Sequence, residues 1–265
     1  MSFLKPQKAM LLAAGRGERL RPLTDRVPKC MVPVWGKPVL EHNIEHLARF
    51  GITDIVINLC YQPQAVMDYF EDGNQWGVNI TYSIEQEALG TSGGVKRVES
   101  FFDHTFLIWY GDNLSNCNLE KLSYFHFQNG GNATMALFYR EDPTASGIVG
   151  LDENCRITRF LEKPKREAVF SHWVNAGIYI LEPEVLEAIP ENIASDFGKE
   201  IFPQLLSEGI PMYGYQMGDD EGLWWIDTPE DLNRVDKIIR HGSNSGNTLS
   251  HSERSEESHQ SKKKQ

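Results

Sequence analysis

A glycine loop that carries several cations is the segment of this sequence with the clearest chemical potential. The apolar run Lys8–Ala14 leads into Gly15-Arg16-Gly17, and five basic but only two acidic residues lie from Gly15 to Lys29. Glycines let the backbone approach a phosphate closely and turn its N–H groups toward the anion. Because the whole chain has a formal charge of −11, this local positive charge predicts a polyanionic ligand.

The loop matches neither of two familiar phosphate-binding motifs. It lacks the Gly-Lys-Ser/Thr ending of a P-loop, and Leu20 stands where a dinucleotide-binding fingerprint has a third glycine or alanine. Gly-x-Gly is a weak signal by spacing alone. At this point a plain strand-to-helix turn with solvated arginines therefore stays open.

Two carboxylates also fit chemistry on phosphates. Asp112 directly follows the apolar run Phe106–Tyr110, and the carboxyl end of a parallel strand faces the ligand crevice of such sheets. Asp227 lies just before a Thr-Pro pair. An aspartate after a strand is also a common turn residue, and Asp227 also suits the approach to a helix N-terminus. The residues themselves leave both interpretations open.

Strand-like and helix-like segments alternate along the part of the chain that must position these groups. Apolar or alternating runs predict strands at 8–14, 54–60, 78–84, 106–110, 133–139, 147–151, 156–160, 174–181 and 212–217. Helical spacing predicts helices at 39–50, 62–70, 93–101, 198–207 and 229–240. This alternation predicts a three-layer, Rossmann-like α/β fold, with a mainly parallel sheet covered by helices on both faces.

The composition changes near residue 241. From there to residue 265, Leu249 is the only aliphatic residue among many serines, glycines and asparagines. Such a segment cannot bury enough apolar surface to offset the entropy of ordering. We therefore predict one folded domain over residues 1–240 and a disordered tail over 241–265.

Charge and hydropathy exclude several classes of protein. The acidic balance disfavours a protein that coats nucleic acid or a membrane surface. No apolar run approaches the ~20 residues of a spanning helix. The cysteines lie far apart without a CxxC pair, which predicts reduced thiols in the cytoplasm rather than zinc sites or disulfides. The four are Cys30, Cys60, Cys117 and Cys155.

Taken together, these motifs resemble the sugar-1-phosphate nucleotidyltransferases. The long N-terminal signature of that family matches GRGERL at 15–20, PLT at 22–24, K-x-M-x-P at 29–33 and KP at 37–38. Later matches are LGT at 89–91, GD at 111–112, F-x-EKP at 160–164, NAGIY at 175–179 and W-x-D at 225–227. The resemblance covers about residues 8–235. It implies the nucleotide-diphospho-sugar transferase fold and an enzyme that joins an NTP to a sugar 1-phosphate, releasing pyrophosphate.

The resemblance also implies roles for single residues. Arg16 would neutralise charge on the phosphates and the departing pyrophosphate, Lys29 would contact the α-phosphate region, and Lys163 would hold the phosphate of the sugar. Asp112 and Asp227 would hold Mg²⁺, although the segment after Asp227 is about two residues shorter than in the family. The implied nucleotide-binding residues are Leu12, Ala13, Ala14, Gly15, Gly17, Glu85, Gln86, Leu89, Gly90 and Thr91. Those implied for sugar hydroxyls are Gly147, Glu162 and Asn175.

The prediction of which base the NTP contains rests on Glu85. It stands where thymidylyl-transferring members usually have glutamine, and a carboxylate only accepts hydrogen bonds. Guanine offers two donors on its edge where thymine and uracil offer one, so GTP is favoured. The overall pattern resembles mannose-1-phosphate guanylyltransferases and their manno-heptose relatives. Gln86 would also suit a pyrimidine, so thymidylyl or uridylyl transfer to another sugar 1-phosphate stays open.

Two other classes of protein compete with this enzyme. A glycosyltransferase on a related sheet usually carries Asp-x-Asp, whereas this chain has Gly-Asp-Asn at 111–113. A non-catalytic regulatory protein that binds nucleotide-sugar is expected to lack Arg16, Lys29 or Asp112, and all three are present. The identity of the sugar and a homo-oligomeric state stay open.

Overall fold

The computed structural model describes residues 5–245, and side chains up to residue 240. Thirteen strands form within that range. They are β1 (Lys8–Leu12), β2 (Pro33–Val34), β3 (Lys37–Pro38), β4 (Asp54–Leu59), β5 (Asn79–Ile84), β6 (Phe106–Tyr110), β7 (Asn113–Ser115), β8 (Ala133–Tyr139), β9 (Ile148–Leu151), β10 (Ile157–Leu161), β11 (Trp173–Leu181), β12 (Met212–Gln216) and β13 (Leu223–Trp225).

Nine of these strands form one mixed sheet with a parallel half and a mainly antiparallel half. In the parallel half, β1 lies between β4 and β6, and β5 adds to β4 as an edge strand. In the other half, β11 runs antiparallel to β6, β8 and β9, while β12 pairs with β8 in parallel. The pair β7 and β13 forms a separate ribbon. The change of direction occurs beside β6, the strand that precedes Asp112.

Helices cover both faces of the sheet, which confirms the predicted α/β fold. They are α1 (Val39–Arg49), α2 (Pro63–Phe70), α3 (Gly90–Lys96), α4 (Leu119–Asn129), α5 (Phe202–Ser207) and α6 (Pro229–Ser245). Leu11 of β1 belongs to the buried cluster that includes Leu47 of α1, whereas Met10 belongs to the one that includes Phe202 of α5. Because successive side chains of a strand point to opposite faces, both faces of β1 are buried.

Three helical segments differ from the predictions. The helix expected at 93–101 is shorter, since α3 ends at Lys96 and a separate turn covers Glu99–Phe101. The helix expected at 198–207 begins as a π-helical segment, Phe197–Ile201, before α5. The sequence reasoning missed α4, although Asn118 caps its first turn and Gly130 follows it in a left-handed conformation.

The ends of the described chain bear on three further expectations. Helix α6 continues past residue 240 to Ser245, and the remaining predicted tail, 246–265, lies outside the described residues. Within residues 5–245 no helix combines the length and apolarity needed to cross a membrane. All four thiols are free. Burial raises the pKa of the Cys30 thiol to about 12.

Candidate active site

A cavity of about 1460 Å³ is lined by the carboxyl end of β6, by β8 and β11, by the ribbon of β7 and β13, and by α6. It exceeds the roughly 300–1,000 Å³ of a typical small-molecule pocket. The predicted site residues that line it are Asp112, Gly147, Glu162, Lys163, Asn175 and Asp227. These residues come from segments far apart in sequence, and the fold brings them to one place.

The centre of the site is a cluster of charges, here called the phosphate centre and defined as Arg19, Lys29, Asp112 and Asp227. The Lys29 ammonium nitrogen lies 2.7 Å from Asp112 Oδ2 and 2.7 Å from Asp227 Oδ1. Arg19 Nη2 lies 3.0 Å from the same oxygen of Asp227. The Lys29 side chain is 10% exposed, against 29% for Asp112 and 24% for Asp227. The two predicted metal ligands therefore share one internal cation.

The short ribbon explains why the two aspartates meet. Trp225 of β13 pairs with Asn113 of β7, so the chain just after Asp112 and the chain just before Asp227 run side by side. Lys29 reaches them from a 3₁₀ turn, Lys29–Met31. Burial acts to lower the pKa of Lys29, but the charges of Asp112 and Asp227 outweigh it and raise that pKa above the ordinary value. Lys29 is therefore a permanent cation at neutral pH.

Asp227 does not serve as the cap of α6. Asp231 Oδ2 accepts hydrogen bonds from the Thr228 amide at 3.0 Å and the Thr228 hydroxyl at 2.9 Å, and the Asp231 amide donates to that hydroxyl. This reciprocal arrangement is a capping box centred one residue after Asp227. The Asp227 carboxylate therefore takes no part in the cap and pairs with Lys29 and Arg19.

The chemistry of the phosphate centre fits a magnesium ion. Mg²⁺ usually takes one or two protein carboxylates and completes its shell with water and substrate phosphates. Asp112 and Asp227 supply two carboxylates, and Lys29 and Arg19 now balance their charge. Within residues 5–245 no cluster of three or more histidine, cysteine, aspartate or glutamate ligands occurs. Two carboxylates with a phosphate ligand are the arrangement that these residues allow.

The glycine loop folds back onto Lys29. Gly17 has φ +65°, and a Cβ on it would lie 2.8 Å from Lys29 Cβ and 2.9 Å from Thr24 Cγ2. The Thr24 hydroxyl donates to the Gly17 carbonyl at 2.7 Å. Arg16 lies exposed on this loop, and it is Arg19 that reaches Asp227. Arg19 is also exposed, with 71% of its side chain accessible. The sequence prediction did not assign it to the site, because its contact with Asp227 joins segments about 200 positions apart.

The residues predicted to bind the nucleotide lie in two segments, and none of them lines the cavity. One segment, with the end of β1, contains Leu12, Ala13, Ala14, Gly15 and Gly17. The other follows β5, enters the first turn of α3 and contains Glu85, Gln86, Leu89, Gly90 and Thr91. Residues 86–91 are here called the base loop. Gln86 and Gly90 are exposed, whereas Leu89 and Thr91 are half-buried.

Glu85 lies beneath the base loop and is 2% exposed. Its Oε1 accepts a hydrogen bond from Asn58 Nδ2 at 2.7 Å, and its Oε2 accepts one from the Leu89 amide at 2.9 Å. Both carboxylate oxygens are thus bound within the protein. This placement differs from the predicted contact with the edge of a base.

The sugar side of the cavity has a more open arrangement. A Cβ on Gly147 or on Gly198 would lie 2.6 or 2.7 Å from Glu162 Oε2, so two glycines leave room for this carboxylate. Burial raises the pKa of Glu162; the charge of Lys163 opposes this rise, and the smaller effect of Asp196 adds to it. The Asn175 amide is bound within the protein, since its Nδ2 donates to the Tyr179 hydroxyl at 2.7 Å and its Oδ1 accepts from the Gly177 amide at 2.8 Å. Lys163 is exposed, with φ +45°.

Comparisons with known proteins found a family model and relatives that match most of this chain. The family model described as nucleotidyl transferase matches residues 8–238. A UTP–glucose-1-phosphate uridylyltransferase from Synechocystis is 38% identical over an alignment of 234 positions, and the match covers 83% of this chain and 59% of that protein. A mannose-1-phosphate guanylyltransferase from Mycobacterium tuberculosis is 36% identical over 230 residues, 85% of this chain and 62% of that protein. The chain thus spans about three fifths of these relatives' length.

Solved structures show the same fold. A protein from Bacillus anthracis assigned as a glucose-1-phosphate thymidylyltransferase matches with a TM-score of 0.79 and 23% identity, covering 88% of this chain and 95% of that one. HddC from Yersinia pseudotuberculosis complexed with GMP-PN matches with a TM-score of 0.73 and 22% identity, covering 88% and 99%.

Proposed function

Because this chain belongs to the nucleotidyl transferase family, we propose that it transfers a nucleoside monophosphate from an NTP to a sugar 1-phosphate and releases pyrophosphate. The observation that carries the proposal is the phosphate centre, where the buried Lys29 joins Asp112 and Asp227, and these two carboxylates line the same cavity as Glu162 and Lys163. The names of the relatives point to the same reaction class.

The proposed reaction places modest chemical demands on the protein. A phosphate oxygen of the sugar 1-phosphate attacks the α-phosphorus, the bond from that phosphorus to the oxygen bridging to the β-phosphate breaks, and pyrophosphate leaves with that electron pair. A phosphate monoester has a second pKa of about 6, so the nucleophile is already charged near neutral pH. The protein must therefore align the reactants and relieve anion–anion repulsion rather than supply a strong base.

Each charged side chain has a role in this scheme. Lys29 would exchange one of its carboxylate partners for the α-phosphate, and Lys163 would hold the phosphate of the sugar. Arg16 and Arg19 would neutralise the phosphates that leave as pyrophosphate. Mg²⁺, when bound by Asp112 and Asp227, would offset charge on the triphosphate.

We further propose GTP as the nucleotide and mannose 1-phosphate or a manno-heptose 1-phosphate as the acceptor. The guanylyltransferase relative from M. tuberculosis supports GTP, and the uridylyltransferase relative from Synechocystis favours UTP as the second candidate. Because both carboxylate oxygens of Glu85 accept hydrogen bonds within the protein, Glu85 no longer supports the choice of GTP over UTP. A cytoplasmic location and a homo-oligomer stay predictions.

The test is pyrophosphate release with GTP, UTP, dTTP and ATP, each crossed with mannose, manno-heptose, glucose and N-acetylhexosamine 1-phosphates. We expect Mg²⁺-dependent turnover, fastest with GTP and one of the first two sugars. Turnover with UTP and glucose 1-phosphate instead would replace the proposed substrates and keep the reaction class. No turnover in any pairing, with measurable binding of a nucleotide-sugar, would favour the non-catalytic regulatory protein.

A further inference from the structure

We propose that Asn58 and Glu85 are a positioning pair, which sets the distance between the glycine loop and the base loop without touching the base. The inference rests on the proposed function for the identity of the ligand, an NTP. Three hydrogen bonds in series define the pair: the Ala13 amide donates to Asn58 Oδ1 at 2.9 Å, Asn58 Nδ2 donates to Glu85 Oε1 at 2.7 Å, and the Leu89 amide donates to Glu85 Oε2 at 2.9 Å.

The sheet explains why this series spans the site. Asn58 of β4 lies in register with Leu12 of β1, so its side chain reaches the amide that opens the glycine loop. Glu85 follows β5, the neighbour of β4, and reaches the amide of Leu89 in the base loop. The pair therefore connects the two segments that would hold the triphosphate and the base of one NTP.

The pair is buried too deeply to be a surface contact. Asn58 is 1% exposed and Glu85 is 2% exposed. A Cβ on Gly94 of α3 would lie 2.8 Å from both Asn58 Nδ2 and Glu85 Oε1, so helix and pair are in close contact. Among the side chains that the structure describes, no cation lies within ion-pair distance of Glu85. Donated N–H groups must then stabilise its charge, and the loss of one is costly.

Other contacts hold the far side of the base loop. The Ser195 amide donates to the Leu89 carbonyl at 2.9 Å, and the Phe197 amide donates to Thr91 Oγ1 at 2.9 Å. With Glu85 beneath it, the base loop is fixed before any ligand arrives. A preformed spacing lowers the entropy that binding must offset, so a loss of the pair is expected to weaken NTP binding.

A polarity swap tests the pair directly. In Glu85→Gln, the side chain has one accepting oxygen and one donating NH₂ group. The NH₂ group must therefore face either Asn58 Nδ2 or the Leu89 amide, and both of these are also donors. In Asn58→Asp, a second carboxylate oxygen faces Glu85. In the double variant, the carboxylate introduced at position 58 accepts from the amide nitrogen introduced at position 85. The amide oxygen at position 85 then accepts from Leu89, and Ala13 keeps its acceptor, so all three hydrogen bonds and the total charge are restored.

We expect each single variant to raise KM for GTP roughly tenfold or more, the cost of leaving a buried polar group unsatisfied. The double variant is expected to return to within about threefold of the wild type, with its order of preference among GTP, UTP, dTTP and ATP unchanged. If a single variant fails to fold, recovery of folding and KM in the double variant supports the pair. Because the pair positions the NTP, KM is expected to change more than kcat.

Several results would overturn the proposal. A double variant as impaired as Glu85→Gln would show that the hydrogen bond between the two side chains does not set NTP binding. A changed nucleotide preference on Glu85→Gln alone would mean that Glu85 reads the base. Single variants that lose thermal stability but keep the wild-type KM well below their Tm would leave only a structural role. Calorimetric titration with GTP and Mg²⁺ separates this proposal from the proposed function. If the wild type binds GTP but does not turn over, only the proposed enzymatic function is contradicted. If the single variants bind GTP as tightly as the wild type, only the proposed positioning pair is contradicted.

Discussion

The base side of the site, which is the network beneath the base loop, and the sugar side of the cavity hold their polar groups in opposite ways. On the base side, Asn58 and Glu85 are almost fully buried, and both oxygens of Glu85 accept hydrogen bonds from the protein itself. On the sugar side, Glu162 is only partly buried and Lys163 is exposed. The base side is thus complete without ligand, whereas the sugar side keeps hydrogen-bonding capacity for one.

The phosphate centre lies between these extremes. Its charges are paired with one another rather than with the rest of the fold, so a triphosphate can replace a carboxylate as the partner of Lys29 or Arg19. A substitution on the base side must preserve a buried hydrogen-bond network if the fold is to keep its stability.

The largest effect is expected for Lys29→Met. It leaves Asp112 and Asp227 facing each other without their shared cation, which costs roughly 3 kcal/mol of unfolding free energy, because both carboxylates keep some contact with water. Urea unfolding measures this. Lys8→Met is the matched control, since it breaks an exposed pair with Asp103 and is expected to cost much less. Equal losses in the two variants would show that the phosphate centre is no more than a surface cluster.

Gly94→Ala is expected to come next. Its added Cβ meets both members of the buried pair at 2.8 Å, and such overpacking costs about 1–3 kcal/mol. Gly15→Ala is the control for stability, because nothing lies within 4 Å of its added Cβ. Thermal unfolding compares the two. Unchanged stability in Gly94→Ala would mean that the base side yields as easily as the sugar side.

Glu162→Gln tests the sugar side through pH. The raised pKa of Glu162 brings its protonation closer to neutral pH, so KM for the sugar 1-phosphate should rise in the wild type as pH falls toward that pKa. The variant is already neutral and is expected to have a KM about tenfold higher near pH 8. The pH dependence of KM in the variant should show only the ionisation of the sugar 1-phosphate, which contributes equally in the wild type. Parallel profiles for the two proteins would remove Glu162 from sugar binding.

The smallest effect is expected for Arg140→Met. The Arg140 guanidinium lies 4.5 Å from the ring centroid of Trp225, and both residues line the cavity. Loss of this contact costs about 0.5–1 kcal/mol and should raise KM for the sugar 1-phosphate a few-fold. Arg159→Met is the control, because Arg159 stacks on Phe170 outside the cavity lining. A KM that changes equally in both variants would indicate a general effect on the fold.

Local patterns predicted the parts of the site that depend on local sequence. The strand before Asp112 has the predicted bounds, Phe106–Tyr110, because a continuous apolar run is typical of a buried strand. Lys29 and Asp112 could be identified because each lies in a dense motif. Two outcomes depend on contacts between distant segments and were missed. Asn58 lies 45 positions from Ala13, and only sheet register brings them together. The orientation of Glu85 depends in turn on its hydrogen bond with Asn58.

The rate of pyrophosphate release by Asp112→Asn tests the phosphate centre most directly. It is compared with the wild type and with Asp103→Asn at saturating NTP, sugar 1-phosphate and Mg²⁺. Asp103 also bonds a lysine, Lys8 at 2.6 Å, but does not line the cavity. We expect Asp112→Asn to lose at least about a hundredfold in kcat while Asp103→Asn keeps the wild-type rate. A wild-type rate in Asp112→Asn would contradict nucleotidyl transfer at this centre.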